Sequence, residues 1–224
     1  MEVDRRSLVH DLRVYLVTDR HLAGGRSIAD VCRAALEAGV KTIQLRDKEA
    51  TPGELEKSAR EILALTRAYG ARLIINDFPL VCAEVQADGV HLGQEDMPAG
   101  VARRLLGPGC LIGVSVREPW EARSAEEEGA DYLAANLVFT TQTKKLPSRP
   151  LGLEGIELLR EASGLPLMAI GGINVSNAAE VIRAGADGVA VVSAVMAAED
   201  PGAACRSLFV AVREGLKARR LPTP

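Results

Sequence analysis

Residues 71–96, ARLIINDFPLVCAEVQADGVHLGQED, read as two strands that each deliver an acidic residue to the same end of a sheet. Leu73, Ile74 and Ile75 form the short apolar run of a buried strand, which stops at Asn76 and Asp77. A short helical run follows. A second apolar segment, residues 89–92, then ends in Gly93, Gln94, Glu95 and Asp96. As parallel neighbours, the two strands would place Asp77 and Asp96 beyond their carboxyl ends, at one crevice. Two carboxylates there suit Mg²⁺, which prefers oxygen ligands and keeps coordination places for water and substrate phosphate. Aspartates after strands also serve as turn and helix-cap residues, so the rest of the chain has to decide.

Working outward, the same alternation recurs. Strands are predicted at residues 14–18, 41–45, 111–114, 131–135, 167–170 and 188–192. Helical sequence at 28–38, 51–69, 98–106, 118–128, 154–162, 175–184 and 202–218 separates and follows them. Thr51, Pro52 and Glu54 make a helix start, with Pro in the first turn and Glu three residues after the cap. With the opening pair this makes eight strands, each followed by helix. A weak echo also appears before every second strand: EAGVKTIQL (37–45), EVQADGVHL (84–92), EEGADYLAA (127–135) and RAGADGVAV (183–191). Recurrence at every second unit favours an α/β closed barrel, the (β/α)8 or TIM barrel of phosphate-binding type. A doubly wound open sheet is the alternative. The expected organisation is a polar leader at 1–12, one catalytic barrel at 13–218 and a tail at 219–224.

Composition narrows the function. A chain of 224 residues, 47% hydrophobic, is long enough for one large core, and with 3% aromatic residues that core must be aliphatic. A formal charge of -3 without a basic block argues against a nucleic-acid partner, so an anion site has to be built locally. Cys32, Cys82, Cys110 and Cys205 lack metal-ligand spacing and read as reduced thiols of a cytoplasmic protein. The start, MEVDRRSLVHDLR, has no apolar segment of a secretory signal, and no apolar run reaches membrane-spanning length. A homo-oligomer is left open.

A barrel collects its polar strand ends at one rim, where the catalytic groups of this fold belong. They are Gln44, Arg46 and Lys48, then Asn76 and Asp77, Gln94 and Asp96, Ser115, and finally Thr141, Thr143 and Lys144 in the long loop at 136–151. Cations and paired carboxylates together describe a polyanion held by metal and by Arg and Lys. Gly171-Gly172 after strand seven and Val192-Ser193 after strand eight form a second anion site, where phosphate usually sits in this fold. His91, inside strand four, reads as a core or supporting residue, and nothing fixes His10 or His21 near a site. No Ser-His-Asp or Cys-His arrangement is present to support covalent hydrolysis. Two anion subsites imply two phosphorylated small-molecule substrates, and transfer with pyrophosphate as leaving group uses both.

The motifs YLVTDR, IQLRDK, IIND, DGVHLGQED, IGVS, TQTK, AIGGI and GADGVAVVSA make the chain resemble the thiamine phosphate synthase family from Tyr15 to about Pro201. The resemblance implies a (β/α)8 barrel joining 4-amino-5-hydroxymethyl-2-methylpyrimidine diphosphate to 4-methyl-5-(2-phosphoethyl)thiazole, with release of diphosphate. It implies that Asp77 and Asp96 hold Mg²⁺. It gives catalytic roles to Arg46, Lys48, Asn76, Ser115 and Lys144. Contacts to the pyrimidine diphosphate fall to Gln44, Leu45, Arg46, Asp47, Lys48, Asn76, Ser115 and Lys144. Contacts to the thiazole phosphate fall to Thr141, Gln142, Thr143, Gly172, Val192 and Ser193. Departures are local. Residues 134–141, AANLVFTT, replace a Gly- and Pro-containing run, Phe78 stands where Arg is customary, and Arg117 stands where His is common. A thiazole tautomerase-like isomerase and a non-catalytic phosphate-ligand-binding barrel are the rival readings.

Overall fold

The computed structural model describes residues 4–141 and 149–219. Eight parallel strands close into a barrel in sequence order: β1 (Val14–Val17), β2 (Thr42–Leu45), β3 (Arg72–Asn76), β4 (Gly89–Leu92), β5 (Leu111–Val116), β6 (Tyr132–Asn136), β7 (Leu167–Ile170) and β8 (Gly188–Val191). Closure is by β1 on β8, with Tyr15 opposite Ala190. The open-sheet alternative is thereby excluded. A helix, α1 (Arg5–Asp11), precedes the barrel, so most of the polar leader is helical. Helices α2 (Ile28–Glu37), α3 (Pro52–Ala68), α4 (Pro79–Val85), α5 (Ala99–Leu106), α6 (Pro119–Glu127), α7 (Gly152–Ala162), α8 (Ala178–Arg183), α9 (Ser193–Met196) and α10 (Pro201–Arg219) follow, with a 3-10 turn at Arg20–Leu22.

The period-2 alternation divides the core in two. Leu16, Ile43, Leu45, Leu73, Ile75, Leu133 and Ala135 point outward and pack under the helices. Tyr15, Val17, Ile74, Tyr132, Ala134 and Met168 fill the barrel interior, with Leu8 and Leu12 of the leader segment in the same cluster. Interior bulk is balanced by missing side chains. A Cβ on Gly113 would lie 2.1 Å from Tyr132 Cζ, and one on Gly188 would lie 2.6 Å from Met168 Cε.

The recurring echo has a physical cause. In three of its four copies an Asp (Asp88, Asp131 or Asp187) precedes the even strand, and its Oδ2 accepts a backbone N–H from the first or second residue of the strand before it. The donors are Leu73 at 2.8 Å, Ile112 at 2.7 Å and Leu167 at 3.0 Å. Arg103 and Arg160 bind two of the same carboxylates, at 2.6 and 3.0 Å. These contacts pin strand register at the end of the barrel opposite the predicted site.

One helix begins later than its periodicity suggests. The predicted run at 175–184 is helical only from Ala178. Asn174 and Asn177 capture backbone groups, with Asn174 N–H on Asn177 Oδ1 and Ser176 N–H on Asn174 Oδ1, both at 2.9 Å. Such local bonds compete with the helix ladder. The four cysteines are free thiols; Cys82 Sγ lies 3.6 Å from Cys110 Sγ. Among the described residues, no helix is long and apolar enough to cross a membrane.

Candidate active site

The carboxyl ends of the strands surround a cavity of about 430 Å³. Its first wall is built where β1 and β2 end. Thr18 N–H donates to Gln44 O at 2.9 Å, and Arg46 N–H donates to Thr18 Oγ1 at 3.0 Å, so Thr18 ties the two strand ends together. Asp19 Oδ2 lies 3.5 Å from Arg46 Nη1, while Arg20 pairs with Asp47. These crossed ion pairs hold Arg46 beside the cavity and turn Asp47 away from it. Asp47 Oδ1 also accepts the N–H groups of Glu49 and Ala50 at 3.2 Å each. Leu45 is fully buried in the outer core. Of the contiguous residues 44–48, the structure therefore brings Gln44, Arg46 and Lys48 to the cavity and leaves the side chains of Leu45 and Asp47 outside it.

The second wall carries the two acids. Asp77 has φ +65° and sits at the centre of a tight turn closed by Phe78 N–H on Asn76 O at 2.9 Å. Its own N–H donates to His91 O at 2.9 Å, which docks the turn on β4. Asp is one of the few residues besides Gly that readily adopt a positive φ, and these two backbone bonds hold the turn in place. Asp96 folds back so that its Oδ2 accepts Gly93 N–H at 2.6 Å. A Cβ on Gly93 would stand 2.9 Å from that oxygen. The two carboxylates face each other. Burial pushes the Asp77 carboxyl above the usual carboxylate range, the facing Asp96 adds to the rise, and Lys48 opposes it with Nζ 3.6 Å from Asp77 Oδ2. A like-charged pair of this kind binds either a shared proton or a cation. Among the described residues, no group of three or more His, Cys, Asp or Glu side chains is placed to hold a metal. A hard cation here would thus draw two protein carboxylates and complete its shell from substrate and water.

The third wall runs from β5 to β8. Ser115 and Arg117 line it, and Gln94 Nε2 donates to Ser115 O at 2.7 Å. Arg117 donates to Asn136 O at 2.9 Å and to Arg149 O at 2.7 Å, bridging both flanks of the strand-six loop. Val138 and Phe139 N–H groups bond Ile170 O and Gly171 O at 2.9 and 3.0 Å, which lays the start of that loop against β7. This close approach explains the Gly-Gly pair. Gly171 and Gly172 have φ +100° and +66°, and a Cβ on either would meet Leu137 Cδ1 at 2.2 Å or Thr140 O at 2.8 Å.

Of the sequence-predicted residues, Gln44, Arg46, Lys48, Asn76, Asp77, Gln94, Asp96, Ser115, Thr141, Gly172, Val192 and Ser193 line the one cavity. Gln142, Thr143 and Lys144 lie outside the described residues. Sequence reasoning placed Arg117 only as a departure from a family pattern; its role as a bridge depends on loop ends that no local signal pairs. Phe78, the other departure, is 39% exposed and lies outside the cavity lining.

The sequence profile of the family described as thiamine monophosphate synthase matches residues 14–195. A thiamine-phosphate synthase of Chloroflexus aurantiacus is 48% identical over 204 residues, covering 90% of this chain and 94% of that protein. One from Moorella thermoacetica is 49% identical over 195 residues, covering 87% and 93%. The solved structure of a thiamine phosphate pyrophosphorylase from Pyrococcus furiosus superposes with a TM-score of 0.85 at 43% identity, covering 93% of this chain and 99% of that one. A 3-hexulose-6-phosphate synthase structure, at 19% identity and a TM-score of 0.66, shares the fold.

Proposed function

The chain belongs to the thiamine monophosphate synthase family, a family of transferases, and from that premise we propose the reaction that its cavity carries out. It joins 4-amino-5-hydroxymethyl-2-methylpyrimidine diphosphate to 4-methyl-5-(2-phosphoethyl)thiazole and releases diphosphate. The observation that supports this most is the facing pair Asp77 and Asp96 beside Arg46 and Lys48 in one cavity. That set suits a diphosphate brought in with a hard cation.

Asp77 and Asp96 would hold Mg²⁺, which supplies neutralisation of charge on the departing diphosphate oxygens. Arg46, steered by Asp19, and Lys48 take the remaining phosphate charge; Lys144 is proposed to join them. Asn76 and Ser115 add neutral hydrogen-bonding groups at the same wall. As the pyrimidine–diphosphate bond breaks, the pyrimidine carries positive charge at its methylene carbon, and the thiazole nitrogen captures it. Pre-placed charges lower this barrier because they need no reorganisation as charge develops. A barrel wall of Val17, Ile170 and Ile173 beside the polar groups limits water, which would compete for the same carbon. The thiazole phosphate is proposed to meet Gly172 and the Val192 and Ser193 backbone, with Thr141, Gln142 and Thr143 as its further contacts. No general base is required.

The test is to supply both phosphorylated substrates with Mg²⁺ and follow diphosphate and thiamine phosphate together. Equal amounts of both products are expected. Tight binding of both substrates without product would leave the non-catalytic barrel as the better reading.

A further inference from the structure

A polar chain crosses the apolar interior of the barrel and ends at the cavity on both sides. Gln44 Nε2 donates to Tyr15 Oη at 2.8 Å. Tyr15 Oη lies 2.9 Å from Tyr132 Oη, which lies 3.2 Å from His91 Nδ1. His91 Nε2 lies 3.0 Å from Ser115 Oγ. Gln44, Tyr15, Tyr132 and His91 are 4%, 1%, 0% and 6% exposed, so water does not offer alternative partners along most of the chain. Burial holds both phenols well above their usual pKa, and each keeps its single proton.

With Gln44 Nε2 donating to Tyr15 and every buried donor satisfied within the chain, the bonds run in one direction. Tyr15 accepts from the Gln44 amide, so its proton goes to Tyr132. Tyr132 accepts it and gives its own proton to His91 Nδ1. The imidazole, accepting at Nδ1, carries its hydrogen at Nε2 and donates to Ser115 Oγ. Ser115 then accepts from inside the barrel, and its hydroxyl proton is left for the cavity it lines. At the other end, the Gln44 carbonyl oxygen is the amide atom left for the cavity.

We propose that the buried chain from Gln44 through Tyr15, Tyr132 and His91 orients the Ser115 hydroxyl as a donor into the cavity, toward an anionic oxygen of the pyrimidine substrate's diphosphate. His91 is a positioning residue that acts through Ser115, and Tyr132 sets its tautomer. The acceptor's identity rests on the proposed reaction; the polarity of the chain does not. The room for this chain is itself built into the sequence, since Gly113 leaves the space that the Tyr132 ring occupies.

The first readout needs no substrate. The protein has three histidines, so ¹⁵N spectra of the imidazoles in the full-length protein identify His91 by its loss in His91→Gln. Hydrogen at Nε2 and a bare Nδ1 are expected. Tyr132→Phe removes the donor to Nδ1, and its His91 spectrum is expected to show mixed tautomers. That variant's kcat should fall about five- to tenfold, as loss of one oriented hydrogen bond implies, with KM for the pyrimidine diphosphate within about twofold. His91→Gln, which keeps an N–H toward Ser115, should retain more kcat than His91→Leu by about threefold or more. A merely structural role would move melting temperature without the tautomer or the kcat-against-KM split. A hydrogen at Nδ1 in the wild-type protein, or unchanged kcat in Tyr132→Phe, would overturn the proposal. Wild-type protein without diphosphate release would overturn the named acceptor, while an Nε2–H His91 would still establish the polarity.

Discussion

Replacing Asp77 by Asn separates the cation site from the fold. Asn fills the same space and tolerates the left-handed φ of +65°, so the turn that docks on His91 O should survive. What changes is charge. The Lys48 partner is 56% exposed, and losing that pair costs at most about 1 kcal/mol. Relief of the repulsion from Asp96 offsets it. Without metal, stability should therefore stay within about 1 kcal/mol of wild type, or about 2–4 °C in a chain of this size. The pH dependence has a definite sign. Asp77 is raised above its unfolded value, so its favourable contribution is full below the unfolded carboxylate range and is lost as pH rises through the raised value. The metal-free melting temperature of Asp77→Asn should thus gain on wild type as pH rises across that window. Adding Mg²⁺ at ten times its Kd should stabilise wild type by about 1.4 kcal/mol, which corresponds to about 3–6 °C, and should leave the variant unmoved. Turnover of the two phosphorylated substrates should drop roughly 10²–10³-fold, the scale of deleting one pre-placed charge-stabilising group. Calorimetric melting across pH, with and without Mg²⁺, alongside a diphosphate-release assay, measures all four. A variant that keeps the wild-type Mg²⁺ dependence of both melting and turnover refutes the assignment of Asp77 to the cation.

Other substitutions test the remaining parts. Asp131→Ala removes the acceptor for Ile112 N–H and the partner of Arg103, at the far end from the cavity; it should cost about 2–3 kcal/mol in a denaturant titration while kcat stays near wild type. Arg117→Ala unties Asn136 O from Arg149 O, so kcat/KM should fall about tenfold with a change in melting temperature below about 4 °C. Gly113→Ala drives a methyl into the Tyr132 ring, 2.1 Å from Cζ, and should cost about 1–3 kcal/mol by overpacking while also lowering kcat; equal stability to wild type would show that the ring is free to move.

Much of the barrel is legible in the sequence because its causes are local. Apolar runs with a stop residue give strands, and Asp88, Asp131 and Asp187 repeat because each pins the register of a preceding strand. The rim acids are legible for the same reason, since Asp77 and Asp96 each follow a strand end. A contiguous motif is harder to read. Alternation of side-chain direction continues past β2, so Gln44, Arg46 and Lys48 face the cavity while Leu45 joins the outer core and Asp47 turns to Arg20. Long-range pairs leave no sequence signal. Tyr15 and Tyr132 are 117 residues apart and meet only because the barrel closes. The helix predicted from residue 175 fails until Ala178 because two asparagines offer the backbone better bonds than the helix does.

The central claim is that one cavity takes a diphosphate on Asp77, Asp96, Arg46 and Lys48 and a second phosphate at Gly172 and Ser193. Crystals grown with Mn²⁺ in place of Mg²⁺, the pyrimidine diphosphate and the thiazole phosphate test it most directly, through the anomalous scattering of the metal and of phosphorus. The account predicts a metal peak between the Asp77 and Asp96 carboxylates, diphosphate phosphorus beside it, and a separate phosphorus peak over the Gly172 and Ser193 backbone. A metal bound elsewhere, or both phosphorylated groups competing for a single position, would contradict it.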